Sequence, residues 1–316
     1  MLVALYTLLL LSLLTTALSP AFLPCQLQKP AKISPTQGCP LRTIFVSQSD
    51  PRAAFASIQH AILSLPAKGS AVILIGEGAG PTGAPLQLLF GNVDFKAYNI
   101  DFQNRAANFS ISQALVTDIS YANASFYGCT FASYQDTWYT GRNASTYVID
   151  SIIFGQTDYL FVFGTAWFQN ITLANRACGG GIVAWKGTNP TDAPGNRYGA
   201  YISDSRIIRS PDANATTVTN GKCFLGRPWN DLATTVYLRT FMDESIEPAG
   251  WTPFDSARPV IMNTTFYAEH KSYGPGGNTT LRVPIEHILT EREAEHFTID
   301  GVFLERPKWI DFTYTG

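Results

Sequence analysis

Short alternating segments recur along the middle of the chain: "YNIDF" at 98–102, "YGCTF" at 127–131, "IDSII" at 149–153, "QNITL" at 169–173 and "SDSRI" at 203–207. Each sets two inward-type residues two apart: Ile100/Phe102, Cys129/Phe131, Ser151/Ile153, Ile171/Leu173 and Ser205/Ile207. A period of two belongs to strands, with alternate residues on one face. The segments begin 29, 22, 20 and 34 residues apart, so each strand returns after one loop of uneven length. No amphipathic helix lies between them, which speaks against βαβ units. The pattern predicts an all-β parallel β-helix, whose turns stack one on the next. A sandwich is the competing architecture, but hairpin signals such as Asn-Gly between paired strands are scarce. Helical spacing is confined to the flanks. "FASIQHAILSLPA" (55–67) predicts a helix able to cap the N-terminal end of the coil. "TEREAEHF" (290–297) predicts a short helix with Thr290 as N-cap and Glu293 completing a capping box.

The polar positions repeat too. Asp136 in "YQDT" and Asp158 in "QTDY" lie 22 residues apart, and so do Gln113 and Gln135. In a coil of that length such residues occupy the same place on successive turns, roughly 4.7–4.9 Å apart. Two carboxylates and two amides would then share one outer face. Solvated decoration is the plain alternative. Stacked like charges oppose each other's ionisation, however, so such a pair needs a shared proton or a nearby cation. Arg227 in "FLGRPWND" is a candidate for that cation.

Composition narrows the setting. The 316 residues are 46% hydrophobic and 15% charged, enough for one sizeable core. A net charge of −2 with no basic run speaks against nucleic acid or an anionic membrane surface as partner. The opening "MLVALYTLLLLSLLTTALSPAFLPC" has no charged side chain and passes from an apolar run into small residues. It reads as a signal peptide over residues 1–20, then a lead segment over 21–51 and the β-helix domain over 52–316. A signal anchor is the alternative, because only the α-amino group is positive at the front. Seven Asn-x-Ser/Thr triplets, at Asn108, Asn123, Asn143, Asn170, Asn214, Asn263 and Asn278, point to a secreted, extracellular glycoprotein. Export permits disulfides: Cys25 and Cys39 are candidates for a local bridge, and the odd count of five leaves a thiol over. No Cys-x-x-Cys or Cys/His cluster offers a metal site. The four histidines fall outside the central region, against a Ser-His-Asp design there.

The blocks "SQALV", "YQDTWY", "GQTDYLF" and "LGRPW" together resemble, in order and nearly in spacing, those of the pectin methylesterases (pectinesterases). "AYNIDFQN", "FYGCTF", "GWTPF", "FYAEHKSYGPGG" and "LTEREAEHFTIDGVFLERPKWI" extend the likeness over about residues 52–312, in a fungal style. The resemblance implies a right-handed parallel β-helix that hydrolyses methyl esters of galacturonate in pectin and releases methanol. It implies Asp158 as nucleophile, Asp136 as general acid and then base, Gln113 as oxyanion donor with Gln135 in support, Arg227 orienting the nucleophile, and Trp229 as an aromatic wall for the sugar chain. Tyr134, Trp138 and Tyr159 are further aromatics near the site, each as compatible with packing as with stacking on sugar. No metal or organic cofactor is required, and a monomer is expected. The chain has neither the Asn-Thr-Asp and paired Asp-Asp blocks of polygalacturonases nor a cluster of acids suited to Ca²⁺.

Three departures from the family stand out. Val162 in "DYLFV" occupies a family glycine, where a positive φ or a close backbone approach would suit a β-branched residue poorly. Gln156 replaces a small residue after Gly155. Near the N-terminus only "AKGS" stands where the family has a Gly-x-Tyr-x-Glu segment, as if one or two coils were missing. A silent β-helix that binds pectin without turnover is therefore the alternative function.

Overall fold

The computed structural model describes residues 23–26, 29–65, 72–76, 86–187 and 198–316. The expected signal peptide and most of the "LPAKGSAV" junction lie outside them. From residue 86 onward the chain winds through three parallel sheets in turn. The first holds Phe95–Tyr98, Asn123–Tyr127, Ser145–Ile149, Thr165–Gln169, Gly199–Ser203, Thr234–Leu238, Phe266–His270 and Glu286–Ile288. The second holds Asp101–Gln103, Thr130–Ala132, Ile152–Thr157, Thr172–Gly179, Arg206–Arg209 and Phe241–Met242. The third holds Leu86–Phe90, Thr117–Ser120, Trp138–Thr140, Leu160–Val162, Gly181–Trp185 and Phe224–Pro228. Each strand pairs with its equivalent one coil later, which is a single-stranded parallel β-helix.

The alternating segments of the sequence are not single strands. Each straddles the corner between the first and second sheets, and its second residue sits in the left-handed region: Asn99 (φ 54), Gly128 (φ 60), Asp150 (φ 51), Asn170 (φ 49) and Asp204 (φ 50). Asn, Asp and Gly tolerate that conformation. The corner leaves the inward phase intact, so Cys129/Phe131, Ile171/Leu173 and Ser205/Ile207 are all buried. Polar side chains satisfy the backbone inside the turn: the Ser151 hydroxyl accepts from the Cys129 N–H at 2.9 Å, and Ser205 accepts from Ile171 at 3.1 Å.

The interior is a column of stacked apolar side chains. Phe126, Phe131, Trp138, Phe168, Trp251 and Tyr267 are all fully buried in it. Phe102 stacks on Phe131 at 5.1 Å and Trp251 on Tyr267 at 3.8 Å. A second apolar layer covers the outside of the first sheet. Its outward residues Tyr127, Tyr147, Trp167, Tyr201 and Val236 are buried beneath Leu289, Val302, Trp309, Ile310 and Tyr314 of the C-terminal segment. That segment returns from the last coil to the first ones, where the Asp311 N–H donates to the Tyr127 hydroxyl at 2.6 Å. It includes the predicted helix, Glu291–Ala294, with its Thr290/Glu293 capping box in place. The upstream helix spans Ile58–Leu63.

The expected Cys25–Cys39 bridge is present, and Cys178–Cys223 forms a second one that the sequence reading did not pair. Cys129 is the buried free thiol, its pKa pushed up to about 12 by burial. Among the described residues no helix is long and apolar enough to cross a membrane.

Candidate active site

The 22-residue register holds where it matters. Gln135 pairs with Thr157, the Asp136 N–H donates to the Thr157 carbonyl at 3.1 Å, and Leu160 pairs with Trp138. Asp136 and Asp158 therefore stand side by side on successive coils, at the corner between the second and third sheets. Both corner positions are left-handed, with φ 57 at Asp136 and φ 49 at Asp158, a conformation that Asp accepts. Both side chains are largely buried. The Ala114 N–H donates to the Gln135 carbonyl at 3.1 Å, which puts Gln113 one coil before Gln135. Gln113 is exposed, and its side-chain oxygen accepts from the Ser112 hydroxyl at 3.2 Å.

Arg227 reaches Asp158 from the third sheet, two coils further on. Its Nε donates to Oδ1 at 2.9 Å and its Nη2 to Oδ2 at 2.6 Å, a bidentate fork that fixes the carboxylate plane. The Gly181 N–H adds a third donor to Oδ1 at 3.0 Å. Gly180 is obligatory here: it lies at φ 63, and a Cβ would come within 2.7 Å of Asp158 Oδ1 and 2.8 Å of Arg227 Cζ. The Cys178–Cys223 bridge closes just ahead of both donors, tying the strand that leads to Gly181 to the one that carries Arg227.

Asp136 has no such cation of its own. Burial, and then the charge of Asp158, push its pKa up to about 7, against smaller opposing effects from Arg227 and a hydrogen bond with Gln135. The two carboxyl groups are thus differentiated by surroundings. Asp158 is held by a guanidinium and a backbone amide, while Asp136 holds a proton near neutrality.

The aromatic candidates divide cleanly. Trp138 and Tyr159 are fully buried core residues. Tyr159 lies beneath Asp158 against Gly155, and its hydroxyl donates to Asn175 Oδ1 at 2.8 Å. Tyr134 is half-buried under the Arg176 guanidinium, 4.8 Å from its ring centre. Trp229 is 38% exposed and lies in a row between the buried Phe161 (6.2 Å) and the partly exposed Phe254 (6.5 Å, rings 3° from parallel). Phe254 also backs Arg227, whose Cζ lies 4.6 Å from its ring centre and whose Nη1 donates to its carbonyl at 2.5 Å. The sequence reading missed Phe254, Phe161 and Gly180. Phe161 sits in the quoted "DYLF" block and was within reach of it. Phe254 ends the "GWTPF" segment, but nothing in the spacing brings it to the site, and Gly180 meets the site through a loop whose length carries no periodic signal.

Val162 sits at φ 84 and is buried beside Phe161 and Ala184. The family glycine is thus replaced at a position that does require a positive φ. Among the described residues no group of three or more His, Cys, Asp or Glu side chains is arranged to hold a metal.

The pectinesterase family model matches residues 88–306. The chain is 32% identical over 219 residues to "Probable pectinesterase/pectinesterase inhibitor 7" of Arabidopsis thaliana, covering 69% of this chain and 37% of that protein. It is 30% identical over 271 residues to "Probable pectinesterase/pectinesterase inhibitor 39" of the same plant, covering 79% and 49%. The chain thus spans less than half the length of these two relatives. Among solved structures it is similar to the pectin methylesterase of Aspergillus niger, with a TM-score of 0.71, 21% identity and coverage of 87% of this chain and 98% of that one. The carrot pectin methylesterase gives a TM-score of 0.66, 23% identity and coverage of 85% and 95%. A pectin methylesterase solved in complex with a hexasaccharide gives 0.64, 22% identity and coverage of 84% and 98%. At these identities the structural likeness speaks for the fold, whereas the match of the family model over most of the chain speaks for descent. The chain belongs to the pectinesterase family.

Proposed function

We propose that this protein is a secreted, extracellular carbohydrate esterase that hydrolyses methyl esters of galacturonosyl residues in pectin. The observation that carries this reading is the pair of neighbouring carboxyl groups set apart by their surroundings, Asp158 forked by Arg227 and Asp136 with its pKa pushed up to about 7. Asp158 attacks the ester carbonyl carbon, and the carbonyl π electrons move onto oxygen. The Gln113 side-chain amide is the proposed donor to that oxyanion, with Gln135 in support; one such donor, once preorganised, is typically worth about 2.7–4 kcal/mol of barrier. As the tetrahedral intermediate collapses, Asp136 gives its proton to the departing methoxide, and methanol leaves an acyl-enzyme. Asp136, now a base, takes a proton from water, which attacks the acyl carbon and frees Asp158 and the galacturonate acid. A carboxyl poised near neutrality suits both transfers. Trp229 and the partly exposed Phe254 offer ring faces to the sugar chain, with the buried Phe161 backing Trp229.

One observation favours the silent alternative. Val162, next to Phe161 in the row, occupies a backbone conformation that a β-branched residue adopts under strain. A methanol-release assay on methyl-esterified pectin decides the matter. Steady release by the wild-type chain, lost by a factor of about 10³ or more in Asp158→Asn, is the expected result. Binding of pectin with no release from either protein would leave the silent form.

A further inference from the structure

A groove runs over the outer face of the second sheet, with a volume of about 680 Å³. That falls within the roughly 300–1,000 Å³ of clefts that take small ligands. Its floor is Ile152 and Phe154 with Tyr134 beside them, and its wall is Arg176 paired with Asp212. These groups are fixed before anything binds. The Arg176 guanidinium lies over both Tyr134 (4.8 Å) and Phe154 (5.0 Å), donates to the Ser133 carbonyl at 2.7 Å, and grips Asp212 at 2.6 Å. Ile152 is left 37% exposed in the middle. An apolar floor with carboxylate and guanidinium groups at its edge suits a pyranose ring, which has one apolar face and a rim of hydroxyl groups.

The groove's lining also includes Asn108, the asparagine of an Asn-Phe-Ser triplet. Asn108 is exposed and makes no side-chain hydrogen bond among the described residues. Other triplets are differently placed. The Asn170 amide donates to Asp150 at 2.6 Å and that of Asn123 to the Val93 carbonyl at 3.4 Å, while Asn214 accepts from its own Thr216. We infer that Asn108 carries an N-linked glycan whose first sugars lie in this groove, over Ile152 and against the Arg176–Asp212 pair. In the linkage step the Asn108 Nδ2 bonds to the anomeric carbon of the first N-acetylglucosamine. The lipid pyrophosphate of the secretory pathway's oligosaccharide donor departs with the bonding electrons, and the amide proton passes to the transferase base. A tethered sugar needs little intrinsic affinity, because attachment at the rim gives it an effective concentration in the millimolar range. The assignment does not rest on the esterase reading.

The test is to express the full chain in a secreting eukaryotic host and follow each glycan by glycopeptide mass spectrometry. An endoglycosidase that cuts between the first two N-acetylglucosamines is applied to the native protein. The Asn108 glycan is expected to be released on the order of tenfold more slowly than those at Asn214 and Asn263, equivalent to about 1.4 kcal/mol of groove contact. Ile152→Asp and Arg176→Gln should each bring its release toward that of the others, and Ile152→Asp changes a side chain on the outer face of the sheet, outside the core. An unmodified Asn108, release at the common rate, or protection untouched by both variants would overturn the inference.

Discussion

Asp136 ties a chemical role to a stability cost. Its native pKa of about 7 lies above the ordinary value of 3.8, so as pH rises the unfolded chain gives up this proton first. The destabilisation is absent below about pH 4, grows up to about pH 7 and is constant beyond. Asp136→Asn should therefore melt at a higher temperature than the wild type at pH 7–8, with the advantage vanishing toward pH 4; thermal unfolding across that range reads it directly. Val162 is a second residue under tension. Val162→Ala and Val162→Gly remove nearly the same apolar contact, but only glycine relieves the φ of 84. The glycine variant should be more stable than the alanine variant by about 1–2 kcal/mol, seen as a higher denaturant midpoint at equal slope.

At the scale of elements, the sequence showed the coil and its spacing but not its corners. "YGCTF" and "IDSII" look like strands because Cys129/Phe131 and Ser151/Ile153 keep their inward phase through the turn. A left-handed Gly128 or Asp150 changes the chain's direction without changing which side chains face in. The paired aspartates were legible for the same reason, since a coil of constant length turns sequence interval into spatial neighbourhood. Arg227 could be named as a candidate cation, but spacing could not place it against Asp158, because coils of different length separate the two. The Cys178–Cys223 bridge was illegible, since its halves are 45 positions apart, with strands and uneven loops between them. That bridge joins the two strands whose ends grip Asp158. Replacing both cysteines by serine should lower stability by about 2–5 kcal/mol and weaken any esterase activity, whereas opening Cys25–Cys39 should leave the activity unchanged. Thermal melts of the two double variants, assayed for methanol release in parallel, separate these effects.

Across the whole molecule, the C-terminal segment turns a stack of coils into one cooperative body. Tyr127, Tyr147, Trp167, Tyr201, Val236 and Ala268 come from successive coils, and all are covered by the same returning chain. Without it the first sheet would present a continuous aromatic face to water. A chain cut after residue 304 loses Trp309, Ile310 and Tyr314 from that cover. It should show aggregation and faster amide exchange in the coils around Tyr127, where Asp311 is hydrogen-bonded, before the later coils are affected. The coil lengths have an evolutionary corollary. Equivalent strand positions are 22 residues apart between Asn123 and Ser145, and 20 between Ser145 and Thr165, but 34 and 35 in the two coils that follow. Lineages descended from this gene are free to lengthen those later turns by drift, yet one codon gained or lost between Asp136 and Asp158 would slide the two acids out of step. The stretch between them acts as a measuring rod, in which the number of residues matters to the pairing of the acids more than their identity.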